Sequence, residues 1–511
     1  MTNSGDAAVD RRRAWLGMAT LALPTFVLGL DMTVLHLAVP EISRDLAPSS
    51  SELLWIVDVY GFLIAGFLIT MGTLGDRIGR RRLLLVGGAA FAAASVLASL
   101  ADSALLLILA RGVLGIAGAT LMPSTLALIR ELFPEERDRT VAISVWAMAF
   151  FGGMALGPAI GGALLEAFSW GSVFLFAVPI MLGLLVVGPR WLPEARDRDA
   201  AARLDPVSVL LSLVAIIGFM YGVKRAAEHG ADLLPVAAMV GGLLVGALFL
   251  RRQARLVDPL LDLSLFRAPG LSAALGTQTL AVLALGGVQF FFGQYLQLVH
   301  GYDPLPAGLL TIPGAIAGIV GSLIAPALAA RIRPAFVIAG GLSLAAIGLC
   351  AFVAIEPGTP VAWPLLAYAL ISFGVGPMFT ICADLIVGSA PEERAGSDGA
   401  LSETGNELGF ALGIGLLGSA GAAVYRAAID VPAGIPAEAA RHAEDTLGGA
   451  LTVAAGLPPE LAAALTSDAR AAFVDGMALS GAIGAVVAIG AAALIGIALR
   501  RRPAGSAGGG H

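Results

Sequence analysis

Long apolar stretches separated by short polar connections fill almost the whole of this 511-residue chain. A helix that crosses the roughly 30 Å of hydrocarbon in a bilayer needs about 20 apolar residues, because each residue adds 1.5 Å. The sequence therefore predicts fourteen membrane-spanning helices, at about 15–38, 53–74, 83–101, 104–129, 140–164, 172–190, 207–225, 231–250, 271–299, 304–330, 335–355, 361–388, 397–425 and 473–499.

The first apolar stretch follows Arg11, Arg12 and Arg13 and could be mistaken for a signal peptide. It is too long for the apolar region of such a peptide, contains Asp31 and lacks a small-residue cleavage site. We therefore expect it to be retained as the first span.

Arginines are concentrated in alternate connections, such as 77–82, 130–139 and 251–267. Basic residues gather on the cytoplasmic side of membrane proteins, so this pattern predicts that both termini are cytoplasmic. Lys224 and Arg225, at the end of the seventh span, are assigned to the outer side.

Two longer polar connections, 190–206 and 251–270, divide the spans into groups of six, two and six. A core of two six-helix halves is a known transporter plan with the substrate site near the midplane, and it predicts an all-α polytopic membrane fold. The predicted domains are a cytoplasmic segment 1–14, an N-terminal bundle 15–190, a linker 191–270 with two inserted helices (207–225 and 231–250), a C-terminal bundle 271–499 with an extracellular loop 426–472, and a cytoplasmic tail 500–511.

Composition excludes several classes of function. Apolar residues make up 58% of the chain and charged residues 13%, against about 25% charged residues in soluble domains. The only lysine, Lys224, has no glycine before it, so the chain contains no Walker A loop. Cys350 and Cys382 lie in apolar spans and are expected to be free thiols, and no Cys/His group has metal-ligand spacing. We expect neither an enzyme nor a cofactor, and no nucleic-acid partner.

Charged residues inside the spans are the first candidates for function. Arg111 lies about 10 Å deep in span four and needs a partner at that depth. Asp31 and Asp58 lie at comparable depths in spans one and two, and either carboxylate could neutralise it.

Glu403 and Glu407 lie four residues apart in span thirteen and so share one helix face. Glu407 lies about ten residues, near 15 Å, from the cytoplasmic end, which places it close to the midplane. An ionised, unpaired carboxylate is costly there, so the group must bind a proton or a positively charged substrate. Glu407 is therefore a chemical element with two states, in which it binds either a proton or a cation.

Two glycine-rich segments are expected to shape the contacts between helices. The loop after span two has glycines for a tight turn and charges that could latch it, and we interpret it as a gate. Span five carries more glycines than one kink requires, which indicates close packing against a helix of the other half. The gate residues are Gly72, Asp76, Arg77, Gly79 and Arg80, and those of span five are Gly153, Gly157, Pro158, Gly161 and Gly162.

Aromatic side chains could wall an apolar cavity and stabilise a cation through their ring faces, although most aromatic residues of membrane helices only pack or anchor. Together with Asp58, Glu403 and Glu407, the predicted substrate-binding residues are Tyr60, Trp146, Phe150 and Phe290.

These segments resemble the signature motifs of the major facilitator superfamily. With fourteen spans, the chain is similar to that superfamily's fourteen-helix drug:proton antiporters. The resemblance is carried by Leu30-Asp31-Met32-Thr33-Val34 with Ala38-Val39-Pro40, by Trp55 to Tyr60, by the loop from Gly72 to Arg82, by Arg111 with Gly115, by Gly153 to Gly162, and by Glu403 with Glu407-Leu408-Gly409.

The resemblance implies the major facilitator fold and export of lipophilic cations driven by inward proton flow. It makes Asp31, Arg111, Glu403 and Glu407 the proton-coupling residues and Asp76 the latch of the loop. Two features depart from the family pattern. Leu114 occupies the position at which many members have a glutamine after the arginine of span four. Span ten also lacks a central acid, which implies fewer acidic positions for dications.

On this resemblance, the chain is expected to be a proton-coupled antiporter of the bacterial inner membrane that exports quaternary ammonium compounds, dyes and antibiotics. It is expected to work as a monomer among membrane lipids, with the proton motive force in place of a cofactor. An exporter of an endogenous antibiotic or lipid-like metabolite would use the same machinery with a different cavity lining. A receptor or scaffold that does not transport is disfavoured, because it would not need costly buried charges.

Overall fold

The structure, a computed structural model, describes residues 4–194, 205–229, 232–256, 259, 263, 269–387 and 395–498. These residues form helices and short connections, with no strand among them, and fourteen of the helical stretches are long and apolar enough to cross a membrane. The predicted all-α fold with fourteen helices of membrane-spanning length is confirmed. The α-helices are α1 (Ser4–Leu46), α2 (Ser50–Ile78), α3 (Arg80–Ser99), α4 (Ala104–Leu132), α5 (Glu136–Ala167), α6 (Ser172–Leu175), α7 (Ala177–Trp191), α8 (Pro206–His229), α9 (Leu233–Gln253), α10 (Pro269–Gln294), α11 (Pro304–Ala329), α12 (Pro334–Ala351), α13 (Ala362–Val387), α14 (Ala395–Ala428), α15 (Ala437–Asp445), α16 (Leu447–Ala454) and α17 (Pro459–Ala498).

Local sequence explains where several helices begin. Ser49 and Glu52 form a capping box at the start of α2, in which each side chain accepts a hydrogen bond from the other's backbone N–H. Ser103 caps α4 in the same way as Ser49. Proline occupies the first position of α11 and α12, where its missing N–H is not needed.

The two halves repeat one packing pattern. In the N-terminal half α1 packs on α5, α2 on α4, and α3 on α4. The corresponding pairs of the C-terminal half are α10 with α14, α11 with α13, and α12 with α13. Two related six-helix bundles are therefore present, although the sequence shows little repetition.

The halves meet along two seams. One seam joins α2 to α14 and the other joins α5 to α11, so the second helix of one half and the fifth of the other meet in both cases. The inserted helix α8 packs against both α2 and α14 and covers the first seam, while α9 packs mainly on α8.

Residues 429–472 lie over one end of the bundle, which we call the capped end. It falls within the predicted extracellular loop 426–472 and contains α15, α16 and the first turns of α17. It contacts both halves: a Cβ added at Gly448 would lie 2.8 Å from Ser43 Cβ in α1, and Arg470 Nε donates to Leu298 O, 2.9 Å away.

Candidate functional site

Arg111 is held at the centre of the N-terminal half by Asp31. Arg111 Nη1 lies 2.8 Å from Asp31 Oδ2, and the two side chains are 2% and 8% exposed. The guanidinium also donates to the carbonyl oxygens of Ile56 and Val57 in α2, at 3.2 and 3.3 Å. Of the two candidate partners, the structure thus selects Asp31.

The close approach of α4 to α2 depends on Gly115. A Cβ at this position would lie 2.6 Å from Tyr60 O, so a larger residue would force the helices apart. The same approach brings the guanidinium carbon of Arg111 to 4.5 Å from the centre of the Tyr60 ring. Tyr60 therefore covers the buried ion pair on one side.

Asp58 has a different partner, Lys224 of the inserted helix α8. Lys224 Nζ lies 2.7 Å from Asp58 Oδ1, and both side chains are completely buried. The assignment of Lys224 to an outer connection is wrong, because α8 continues to His229 and its lysine points into the seam. A lysine at the end of an apolar run has the same sequence pattern as a membrane-flanking residue, so hydropathy alone does not identify it.

A small cavity lies between the halves, with Glu407 in its wall. The polar residues of the wall are His36, Asp58, Tyr60, Arg111 and Glu407, which come from α1, α2, α4 and α14. The space open to the centre of a water-sized sphere is about 20 Å³. This is room for a single water molecule and not for a drug, so the cavity is closed in this conformation.

Glu407 is the one carboxylate of this wall that has no cation beside it in the described part of the chain. It is 3% exposed and faces α2, where a Cβ at Gly61 would lie 3.8 Å from Glu407 Oε2. The structure thus places Glu407, Asp58, Tyr60 and Arg111 around one cavity, with Asp31 behind Arg111.

Glu403 lies one turn along α14, outside the cavity wall and within a polar network. Asn406 Nδ2 donates to Glu403 Oε2 at 3.5 Å, and Gln278 of α10 donates to Asn406 Oδ1 at 2.7 Å. Gln278 also exchanges hydrogen bonds with Ser402. Gln278 was not among the predicted site residues. Its only signal in the sequence is a polar amide side chain within an apolar span.

The other predicted aromatic residues are not in the cavity wall. Trp146 donates to Thr125 Oγ1 at 3.0 Å and stacks on Phe150, with 6.1 Å between the ring centres. Phe290 packs on Phe291 and reaches Gly418, nearer the capped end. Tyr60 alone of the four predicted aromatic residues borders the closed cavity.

The glycines of span five serve two helix contacts. Gly153, Gly157 and Gly161 face α1, where added Cβ atoms would collide with the backbone or side chains of Phe26, Thr33 and Val34. Gly162 faces the other half: its Cβ would lie 2.5 Å from Leu305 Cα. Beside it, α11 approaches Pro158 through Gly308. The predicted contact with the other half is thus made by Pro158 and Gly162, while three glycines hold α5 against its own half.

Replacing Gly162 with alanine is expected to reduce transport about tenfold, because overpacking a tight contact costs about 1–3 kcal/mol. Gly152→Ala is the matched control: an added Cβ there meets nothing within 4 Å, and both changes gain the same helix propensity. Uptake into inside-out vesicles, normalised to protein amount, compares the two variants. Equal transport by both would contradict a role for the α5–α11 contact.

The loop after α2 is anchored to the end of α7. Gly79 has φ +107°, a conformation that favours glycine, and Glu194 occupies the space where a side chain would begin. Glu194 lies 3.3 Å from Arg81 and 3.8 Å from Arg82, and Arg81 also donates to Leu192 O. The described contacts of this loop thus stay within the N-terminal half.

The structure describes three of the other predicted gate residues, Gly72, Arg77 and Arg80. An added Cβ at Gly72 would only touch Pro123, at 3.9 Å, and Arg77 lies half-buried in the last turn of α2. Arg80 packs against Gly75. The side chain of Asp76, the predicted latch, lies outside what the structure describes.

A family model described as Major Facilitator Superfamily matches residues 21–414. The chain is 45% identical to the multidrug efflux pump LfrA of Mycolicibacterium smegmatis, over 96% of this chain and 97% of that protein. It is 36% identical to the methyl viologen resistance protein SmvA of Salmonella typhimurium, over 90% and 93%. It is also 32% identical to the tetracenomycin C resistance and export protein of Streptomyces glaucescens, over 95% and 91%.

Among solved structures, the chain is similar to a bacterial homologue of the human lysosomal transporter Spinster, in an inward-facing and unoccupied conformation. The TM-score is 0.65 at 17% identity, over 96% of this chain and 97% of that one. This likeness concerns the fold.

Proposed function

Because the chain belongs to the Major Facilitator Superfamily, we propose that it exports lipophilic cations, such as quaternary ammonium compounds, dyes and cationic antibiotics, in exchange for protons. The chain is a multi-pass transporter of the bacterial inner membrane and not an enzyme, as the sequence predicts. The predicted family is confirmed.

The proposal rests on one observation: Glu407 lies in the cavity wall with no cation beside it among the described residues. Every other charged side chain of the cavity wall has an opposite charge beside it, Arg111 through Asp31 and Asp58 through Lys224. A buried carboxylate with no such partner must be neutralised, either by a proton or by a cation from outside the chain. The two ligands exclude each other, and this exclusion couples their movements.

Alternating access supplies the path. The two bundles meet along the α2–α14 and α5–α11 seams, and the cavity between them holds no more than one water molecule. Rocking of α1–α7 against α10–α14 and α17 would open it to one side of the membrane at a time. When it opens inward, a cation displaces the proton of Glu407; when it opens outward, a proton releases the cation.

The energy of the exchange comes from the proton gradient. One pH unit supplies about 1.4 kcal/mol per proton, and 100 mV supplies about 2.3 kcal/mol for each charge moved. Entry of two protons per exported monocation would use both. In this scheme Asp31 is a coupling acid, Arg111 pairs with it and transfers protons, Glu403 is the neighbouring acid, and the protein acts as a monomer.

Purified protein in liposomes tests this proposal. A fixed pH gradient with the interior acidic should drive uptake of a lipophilic cation into the liposomes and outward proton movement that stops when the cation is withheld. A protonophore should remove the uptake. Cation uptake that persists without any proton movement would contradict antiport.

A second candidate, export of an antibiotic product, is favoured by the similarity to the tetracenomycin C resistance and export protein. Tetracenomycin C in the same liposomes separates the two candidates. Its transport without competition from lipophilic cations would favour this second function.

A further inference from the structure

The ion pair between Lys224 and Asp58 joins the inserted helix α8 to the transport bundle. Both side chains are 0% exposed, with 2.7 Å between Nζ and Oδ1. Removing two charges from water is costly, and their mutual attraction often fails to offset that cost. Stability is therefore a weak explanation for the only lysine in the chain.

The groups around Lys224 Nζ are those that bind an organic cation. Besides the carboxylate of Asp58, the centre of the Trp55 ring lies 3.8 Å away and that of Phe62 lies 5.9 Å away. Aromatic faces of this kind recognise alkylammonium ligands. Trp55 and Phe62 belong to a small apolar cluster formed with Met220 of α8 and Ala411 of α14, on the covered seam.

This pocket adjoins the central cavity. Asp58 lines that cavity, and its second oxygen, Oδ2, is buried and accepts no hydrogen bond from the described residues. Across the seam, a Cβ at Gly415 would lie 3.0 Å from Asp58 Oδ2, so α14 leaves room for the carboxylate there.

The charges around the cavity then leave one acid available. Asp31, Asp58 and Glu407 are the carboxylates of this cluster, and Arg111 and Lys224 are its cations. Two ion pairs neutralise every charged group of this cluster except Glu407. Glu403 lies one turn away on α14, outside the cavity wall.

From this geometry we infer that Asp58, Trp55 and Phe62 form a second cation site, which the chain's own Lys224 occupies. Its occupation limits the transport site to substrates with one positive charge. The inference rests on the proposed function. Without the lysine charge, two carboxylates would face the cavity, and the second cationic group of a dication could bind at Asp58.

Equilibrium binding to the full-length protein in lipid nanodiscs tests the inference. The probes are methyl viologen, a dication, and 1-methyl-4-phenylpyridinium, a monocation of similar ring structure. In Lys224→Met the affinity ratio of dication to monocation should rise on the order of tenfold, because an uncompensated carboxylate attracts the second charge. In the double variant Asp58→Asn, Lys224→Met the ratio should return to the wild-type value.

The neighbouring cation provides the matched control, since Arg225→Gln removes a charge from the same helix and should leave the ratio unchanged. Lys224→His covers the case in which Lys224→Met fails to fold. A histidine can lose its charge within the experimentally accessible pH range, so the ratio should rise with pH in this variant relative to the wild type.

An unchanged ratio in Lys224→Met, with both ligands bound by the wild type, overturns this inference and leaves the proposed function intact. If the wild type binds neither ligand, this inference and the proposed function fail together. Equal weakening of both ligands in every Lys224 variant, or loss of folded protein in all of them, would assign the lysine a structural role only.

Discussion

Replacing Glu407 with glutamine is expected to abolish cation-dependent proton movement. Glutamine keeps the size and hydrogen-bonding capacity of the side chain but neither ionises nor takes up a proton. Binding of lipophilic cations should weaken about a hundredfold or more, because loss of one partner from a buried charge pair costs about 3–5 kcal/mol. Proton release upon cation addition to the purified protein measures the coupling directly.

Two further variants serve as controls for this result. Glu407→Asp keeps the carboxyl group and should retain coupled exchange at reduced affinity. Glu460→Gln removes an exposed carboxylate near the start of α17, at the capped end, and should behave as the wild type. Full proton release from Glu407→Gln would move the exchange to another acid, with Asp58 and Glu403 the nearest candidates.

Changing Asp31 to asparagine is expected to destabilise the folded protein by about 3–5 kcal/mol, since the Arg111 charge is then left buried without a counter-charge. Thermal unfolding in detergent, followed by the amount of monodisperse protein after heating, measures the loss. Transport should fall with it, because the guanidinium holds α2 through the carbonyl oxygens of Ile56 and Val57.

The double variant Asp31→Asn, Arg111→Met separates folding from function. Removing both charges leaves no unpaired ion in the interior, so much of the stability lost in Asp31→Asn should be regained. The double variant should therefore unfold at a higher temperature than Asp31→Asn, yet remain inactive in transport. Additive loss of stability in the double variant would show that the two residues are not coupled.

The course of the chain through the membrane could be predicted from hydropathy because a bilayer imposes a fixed length on each apolar run. The fourteen spans follow from that rule. The candidate carboxylates of the cavity are then the acidic residues that lie inside those spans. The partner of Arg111 does not, because Asp31 and Asp58 lie at comparable depths in their predicted spans, and the packing of the helices decides which one faces Arg111.

Three features required the three-dimensional structure for related reasons. Lys224 ends an apolar run, and only the packing of α8 on the α2–α14 seam shows that its ammonium group points inward. The glycines of span five form one run in sequence but divide between two neighbours of α5. The helices of 429–472 contain no run of about 20 apolar residues, so a criterion based on spanning length missed them.

The placement of α8 gives the transporter a sidedness within the plane of the membrane. It shields the α2–α14 seam from the surrounding acyl chains, while the α5–α11 seam has no comparable cover among the described helices. On α11, Ile316, Ile319 and Leu323 are 55%, 48% and 74% exposed. A hydrophobic molecule dissolved in the bilayer therefore meets the junction between the bundles from one flank only, where acyl chains and solute compete for the same surface.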